Sequence, residues 1–366
     1  MITLTQEPLV VCTLILSVKL FAVGVSDKHF TYLFVDEAGH TTEADLMVAL
    51  QSAPNVKHMM LAGDHKQLGA VVRARPSIAA GMQVSPLERL QNDPLMKDQV
   101  VMLTDNYRSH PAIVNIVNVM YNAKLVAAAA ADPVFRHPSL KLCVHHGCSV
   151  QLNVSNACPV VFLHHKSPET READSPSWCN VNEAHMLISV AFDLHDRHGV
   201  SFSDIAIISP YRKQVLKISG ILHAHNERSP GVKHINVSTV ELFQGRESRV
   251  VLLCCVRNCS VETVETDVQF SIGFLKQPLC ANVALSRAKS LLVIAGNAGL
   301  MGVCKTWRTY LERIIALPLP CMFDVTCSLM QELHSIPKQD MRCGILVAAL
   351  DAIESEQEER PFDRVE

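Results

Sequence analysis

Thr31-Tyr-Leu-Phe-Val-Asp-Glu-Ala-Gly-His40 is the stretch that decides how this chain folds. Tyr32 to Val35 is wholly apolar and stops abruptly at two adjacent carboxylates, Asp36 and Glu37. An apolar run without polar alternation predicts a strand buried on both faces, as in the parallel sheet of an α/β domain. Ligands of such sheets bind beyond the carboxyl ends of the strands, which is where this acidic pair falls. Successive strand residues point to opposite sides, so the two acids can take different tasks.

One carboxylate can face a metal–phosphate while its neighbour faces an attacking water. That is the layout of a Walker B segment, with Asp36 on the Mg²⁺ side. A strand ending in a solvated turn is the plainer alternative, and the remaining segments decide. His58 to Leu61 is a second apolar run, broken at Gly63-Asp64-His-Lys-Gln67-Leu68. A glutamine amide has both donor and acceptor, so Gln67 can hold a water and a phosphate oxygen together; a bare Gly-Asp turn is the competing reading. Val100 to Leu103 is a third predicted strand end, followed by Thr104-Asp-Asn-Tyr107-Arg108-Ser-His-Pro111. Pro111 suits the first turn of a helix running to Tyr121. Tyr107 offers a flat face to an adenine and Arg108 a planar fork to phosphate oxygens. Taken alone, an Arg beside a Tyr reads as a surface contact.

With 366 residues the chain is long enough for about two domains with real cores. A hydrophobic content of 48% and a positive mean hydropathy describe a globular chain. The formal net charge of −3 excludes a globally basic protein, so any nucleic-acid contact must use a local groove. Thirteen cysteines without a fixed framework point to free thiols in a reducing compartment. Leu9 to Val25 is apolar enough to pass for a signal or membrane segment, but its leader carries no positive charge and Lys19 interrupts it. It reads instead as a buried strand, Leu9 to Leu14, with a helical or loop return. Ala127 to Ala131 is the one low-complexity tract, and the tail beyond Asp351 is acidic.

From Ala127 to Asp174 periodicity fades. Cys143, His145, His146 and Cys148 raise the question of zinc, but their spacing lacks the separated ligand pairs of a tetrahedral site, and a loop with ordinary thiols is expected. Pro159 to Leu163 predicts a strand, and Asn180-Val-Asn-Glu183 caps an amphipathic helix reaching toward Arg197. Asp204-Ile-Ala-Ile-Ile-Ser-Pro-Tyr211-Arg212-Lys213-Gln214 is a strand feeding a helix, with polar groups expected at the carboxyl end of the sheet. Val237-Ser-Thr239-Val-Glu241-Leu-Phe-Gln244-Gly245-Arg246-Glu247 precedes the strand Val250 to Val256, and Gly245 permits close backbone approach. Asn282-Val-Ala-Leu-Ser286-Arg287-Ala-Lys289 predicts a helix presenting Arg287 before the strand Leu291 to Ala295.

Asp-Glu-Ala-Gly, Gly-Asp-x-x-Gln-Leu, Asn-Tyr-Arg-Ser-His-Pro, Ser-Pro-Tyr-Arg-Lys-Gln, Phe-Gln-Gly-Arg-Glu and Asn-Val-Ala-x-x-Arg-Ala-Lys follow one another in this order. Order and vocabulary resemble motifs II to VI of superfamily one helicases of the Upf-like subfamily. His29-Phe-Thr-Tyr-Leu-Phe-Val-Asp-Glu-Ala-Gly-His40, Ile208-Ser-Pro-Tyr-Arg-Lys-Gln-Val215 and Gly273-Phe-Leu-Lys276 look like the Mov-ten/Armitage branch of RNA helicases. The resemblance covers residues 9 to 316 and implies an α/β fold of two RecA-like, P-loop NTPase-type domains with parallel sheets. It implies a first domain over 1–103, incomplete at its N-terminus, a second over 104–317, and a C-terminal extension over 318–366.

The resemblance further implies ATP and Mg²⁺ as cofactors and single-stranded RNA as partner. By it Asp36 holds Mg²⁺, Glu37 activates the hydrolytic water and Gln67 senses the γ-phosphate. Arg108 and Arg287 neutralise the transferring phosphoryl as arginine fingers do. Tyr107 stacks on adenine, Gly245 and Glu247 border the nucleotide, and Thr13 and Thr239 lie near the RNA backbone. A cytoplasmic monomer without a membrane anchor is implied, moving 5′-to-3′ among silencing or RNA-decay ribonucleoproteins and their granules.

The departures are local except one. His65 and Ala70 stand where motif III usually carries prolines, and Leu279, Cys280 and Ala281 replace basic and aromatic residues before Asn282. The larger departure is that the sequence has no Gly-x-x-x-x-Gly-Lys-Ser/Thr and no Gly-Lys pair. A P-loop supplies backbone donors, a phosphate-binding Lys and a hydroxyl for Mg²⁺. The expectation is therefore the C-terminal part of an RNA helicase. A catalytically inactive RNA- or protein-binding fragment is the alternative, and a DNA helicase of the same superfamily a weaker third.

Overall fold

A computed structural model of the chain describes residues 7–26, 28–128, 140–146, 148–154, 159–171, 177–226, 231–258, 274, 277–317 and 322–324. It forms two compact units, Met1–Leu103 and Thr104–Glu366.

The first unit holds helix α1 (Val18–Ala22), strand β1 (Tyr32–Val35), helix α2 (Glu43–Ser52), strand β2 (His58–Leu61) and helices α3 (Arg75–Ala79) and α4 (Pro86–Gln91). β1 and β2 pair in parallel, Tyr32 opposite His58 and Val35 opposite Leu61. Thr42 and Asp45 form a reciprocal capping box that starts α2, and Ser85 Oγ accepts the Glu88 N–H to start α4. Val35, Ala38 and Leu46 make a small core against which Leu14, Leu33, Leu50, Leu61 and Leu87 pack.

Two expectations fail here for one reason. β1 is a strand, but only one face is covered: Tyr32 is 57% and Phe34 64% exposed. Strand side chains alternate, α2 covers the Leu33–Val35 side, and no element among the described residues covers the other. On that open side Tyr32 stacks against Phe34 and His58, with centroids 6.2 and 4.9 Å apart. Leu9 to Leu14 is not a strand; Leu9 and Val11 lie exposed and the chain turns at Thr13 into a 3₁₀ turn, Ile15–Ser17. A strand needs a neighbour for its N–H and C=O groups, and none among the described residues pairs with this one.

The second unit continues with β3 (Asp105–Asn106), α5 (Pro111–Val117), β4 (Val126–Ala127), β5 (Leu140–His146), β6 (Cys148–Val154), β7 (Val160–His164), β8 (Thr170–Arg171), β9 (Trp178–Cys179) and α6 (Val181–His198). Then come β10 (Ile205–Ser209), α7 (Arg212–His225), β11 (Asn236–Thr239), β12 (Ser248–Cys254), α8 (Pro278–Leu285), β13 (Ala288–Gly296), α9 (Ala298–Gly302), α10 (Lys305–Ile315) and β14 (Met322–Asp324). Its six-stranded sheet has the order β11-β10-β12-β13-β7-β14, parallel throughout. Every residue of β7 and β10 is buried, as continuous apolar runs between helices require. The edge strand β14 comes from beyond residue 317, inside the segment expected to be an extension.

Helix α6 starts on the Asn180 side chain, which accepts the Glu183 N–H, and ends at Gly199 with φ 64°. There Val200 N–H bonds Leu194 O, the six-residue closure that a left-handed glycine permits. Val100 to Leu103 forms no strand; Val101 and Leu103 are exposed, and pairing begins later, with Asp105–Asn106 against Val126–Ala127. Nothing among the described residues offers the earlier run an edge. Cys143, His145, His146 and Cys148, expected in a loop, lie in an antiparallel pair of strands, β5 with β6. Its signal was period-two alternation, with Leu140, Leu142 and Val144 opposite Val154, Leu152 and Val150. Among the described residues no group of metal ligands occurs and no helix is long and apolar enough to cross a membrane. The tail beyond Asp351 and the end of the alanine tract lie outside the described residues.

Trp307, Tyr310, Leu311 and Ile314 are the fully buried stripe of α10, with Trp307 edge-on to Phe274 and Tyr310 at 5.3 and 5.7 Å. Trp307→Ala should cost about 3–5 kcal/mol, read as a fall in the denaturant midpoint. Leu216→Ala, at a position 62% exposed, should stay within about 0.5 kcal/mol of wild type.

Candidate functional site

In the first unit the loops after β1 and β2 are fastened backbone to backbone. Ala62 N–H donates to Val35 O and Ala38 N–H to Ala62 O, both at 2.8 Å. Two glycines make the approach possible. A Cβ on Gly39 would come 2.6 Å from Asp64 O, and one on Gly63 would come 2.8 Å from Ala38 N. The loop that carries Asp36 and Glu37 thereby lies against the loop that carries Asp64 and Gln67, at the carboxyl ends of two parallel strands.

Asp36 is exposed and its Oδ1 accepts the Glu37 N–H at 2.9 Å; Oδ2 makes no hydrogen bond among the described residues. Glu37 has φ 53°, a left-handed turn that ends the strand and reverses the chain into Ala38–His40. Gln67 Nε2 donates to Asp64 Oδ2 at 2.9 Å, which orients the amide, while Asp64 Oδ1 accepts the Lys66 N–H. Burial lowers the His65 pKa, where the family pattern has proline. Thr13 is exposed and accepts the Leu16 N–H.

In the second unit the predicted residues gather at the amino edge of the sheet. Glu247 precedes β12 and Lys289 opens β13. Arg108 Nε donates to Glu247 Oε2 at 2.5 Å and Lys289 Nζ to Glu247 Oε1 at 2.6 Å. Lys289 first and Arg108 second hold the Glu247 carboxyl below the usual carboxylate range. The Arg108 loop is itself tied down. Asn106 Oδ1 accepts the N–H groups of Arg108 and Ser109, Ser109 Oγ donates to Ala288 O, and His110 N–H to Lys289 O. Tyr107, between these anchors, is 76% exposed with its ring free for a planar partner.

Arg287 departs from expectation. Helix α8 stops at Leu285, so Arg287 is not presented on a helix but turns inward, 2% exposed. Its Nε donates to Val283 O at 3.0 Å, Nη2 to Ser286 Oγ at 2.8 Å and Nη1 to Arg246 O at 3.4 Å. The guanidinium thus ties the end of α8 to the Gly245 turn, where Gly245 takes φ 74°. Thr239 ends β11 at the opposite, carboxyl edge and accepts the Leu242 N–H at 3.4 Å. Sequence reasoning missed Asn106 and Lys289 as organisers. The Asp-Asn pair before Tyr107 was a legible turn signal; the Lys289 contact, between distant segments, left none.

A family model described as an AAA domain matches residues 82–299, and a second of the same description matches residues 2–75. The chain is 35% identical over 329 residues to "Putative helicase mov-10-B.2" of Danio rerio, covering 84% of this chain and 31% of that protein. It is 34% identical over 301 residues to "RNA helicase Mov10l1" of Homo sapiens, covering 76% and 23%. It is 29% identical over 301 residues to "Probable RNA helicase armi" of Drosophila melanogaster, covering 78% and 25%. The chain therefore spans about a third or less of the length of these relatives.

Gly63→Ala and Gly39→Ala each push a methyl into backbone and should destabilise the first unit by about 1–3 kcal/mol. Gly69→Ala, whose Cβ would meet nothing closer than 4.0 Å, should be near neutral in the same thermal melts. A depressed carboxylate stabilises the fold above its unfolded pKa and ceases to as pH falls through the folded one. The melting difference between wild type and Glu247→Gln should therefore be constant near neutrality, begin to shrink as pH falls below the ordinary glutamate pKa of about 4.3, and vanish only once pH has passed below the depressed folded one. With parallel strands in both units, motifs II to VI in order and family matches across both units, the chain belongs to the AAA-domain, superfamily one helicases of the Upf-like subfamily.

Proposed function

We propose that the chain carries motifs II to VI of an ATP-dependent RNA helicase that moves 5′-to-3′ on a single strand in RNA silencing or decay. The observation that supports this best is the fastened pair of loops in the first unit, in which the turn carrying Asp36 and Glu37 lies against the turn before Gln67 beyond two strand ends. An exposed carboxylate oxygen with no donor among the described residues suits Mg²⁺, a hard cation that keeps several waters and takes one or two carboxylates.

Bound MgATP supplies the phosphoryl group and the cation that neutralises it. In this reading Asp36 holds the cation, Glu37 takes the proton of the attacking water and Gln67 contacts the γ-phosphate. Arg108 exchanges Glu247 for phosphate oxygens. Arg287 turns from the Val283, Ser286 and Arg246 oxygens to phosphate oxygens. Tyr107 stacks on adenine, Gly245 and Glu247 border the nucleotide, and Thr13 and Thr239 touch the RNA backbone. The reading takes the protein to be a cytoplasmic monomer working within ribonucleoprotein particles.

Positioning and charge neutralisation supply most of the catalysis in phosphoryl transfer, and the sequence has no Gly-Lys pair to complete a phosphate cradle. The chain alone should hydrolyse ATP slower than a version carrying a relative's P-loop segment at its N-terminus, by a factor on the order of 10³–10⁵. Glu37→Gln should abolish turnover in the longer version. RNA-stimulated turnover by the short chain, lost in Glu37→Gln, would overturn the assignment of the phosphates. A longer version that stays silent would favour an inactive binding module. Binding of single strands, followed by fluorescence anisotropy, should be nearly sequence-blind and weaken by about tenfold or more between roughly 50 and 200 mM salt; tight binding that ignores salt would count against a helicase.

A further inference from the structure

Just past the carboxyl end of β12 the backbone makes a γ-turn. Arg257 N–H donates to Cys255 O at 2.8 Å, and Val256 between them has φ 71°. A β-branched residue in the left-handed region crowds its Cβ against the following carbonyl, and a γ-turn of this hand is rare and strained. Such a conformation persists only where its surroundings over-determine it.

They do so here. Val256 is fully buried, and both carboxylate oxygens of Glu183 accept its N–H at 3.0 Å. Asn180 Nδ2 donates to Val256 O at 3.4 Å. Glu183 is wholly buried in the first turn of α6, where the helix dipole favours a carboxylate, and His165 Nε2 stands 3.2 Å from it. Gly296 leaves room for the turn, since a Cβ there would come 3.1 Å from Cys255 Cβ. A glycine in place of Val256 would adopt this φ without help. A buried carboxylate is a costly way of holding a turn, so the direction in which the turn sends the chain is what it secures.

That direction leads to a tryptophan. Arg257, 3% exposed, lies over the Trp178 ring at 4.5 Å, with its Nε donating to Glu169 at 2.9 Å. The exposed Arg171, across the β8–β9 pair, also lies over this ring, 5.2 Å from its centroid. Trp178 is half-buried and follows β7 at the carboxyl edge of the sheet, the edge that also carries Thr239. An aromatic ring braced by a buried arginine and capped by an exposed one is a stack that an unpaired base can join, on the exposed guanidinium or in its place.

We propose that Arg171 and Trp178 form a base-stacking platform for single-stranded RNA, and that Glu183 is its positioning residue, acting through the Val256 turn and Arg257. This rests on the RNA reading above and adds a contact with bases to a grip on backbone. The test uses a fluorescein-labelled oligouridylate titrated into the full chain. Trp178→Ala should weaken binding about tenfold with an unchanged salt slope, because stacking releases no counterions, and Trp178→Phe should keep most of the affinity. Glu183→Gln should lower both affinity and melting temperature. In a Val256→Gly background, where the turn forms unaided, the same change should cost far less in both. Trp307 is fully buried, so quenching of tryptophan emission on binding should report Trp178 and vanish in Trp178→Phe. Oligouridylate binding unaffected by Trp178→Ala overturns the platform and leaves the RNA reading standing. No binding by wild type at low salt overturns both. Equal costs of Glu183→Gln in the wild-type and Val256→Gly backgrounds, read in melting alone, overturn the positioning role.

Discussion

Desolvation of the parallel strands governs the second unit. β7 and β10 are buried along their whole length, and the core of β12 and β13 is equally dry. Strands buried on both faces have no place for an unpaired polar group, so chemistry is pushed to the two edges of the sheet. At the amino edge stand Arg108, Glu247 and Lys289; at the carboxyl edge stand Thr239 and the turn at Val256. β12 reaches both, with Glu247 just before it and Val256 just after.

The first unit solves a different problem. Among the described residues β1 is covered on one face only, so the loops after β1 and β2 near Asp36 are joined less through a core than through backbone contact. Gly39 and Gly63 are where that contact is closest. Removing side chains at two positions lets hydrogen bonds between main-chain groups do what helices do in the other unit.

These differences explain what could be read from the sequence. The runs Tyr32–Val35, His58–Leu61 and Ile205–Ser209 were legible as strands because apolar continuity is local, and Asn180 was legible as a cap because capping spans three residues. Val100–Leu103 shows the limit. It has the composition of a strand, yet pairing depends on a neighbouring edge that no local window contains. The fate of Arg287 was hidden likewise: Ser286 and the Gly245 turn draw it inward, and the second lies some forty residues away. Polar residues at the strand ends were readable; which of them meet was not. Tyr32 and Phe34 misled in the opposite sense, since apolar continuity predicts burial only where a second layer exists to provide it.

The two edges also differ in how readily their polar contacts can change partners. Arg108 and Glu247 keep about a third of their side-chain surface in water, 32% and 38%. A pair so exposed contributes little to stability and is screened by salt, so either partner can leave for a better one without unfolding anything. Glu183 and His165 expose 0% and 1%. Removing the Glu183 carboxylate there takes away the acceptor of the Val256 N–H in a dry interior, where an unmet donor is costly. The amino edge is thus built from contacts that a ligand can exchange, and the carboxyl edge from contacts that hold a strained backbone in one place. A sheet that is rigid between them keeps the exchangeable side chains at a fixed distance from the permanent ones.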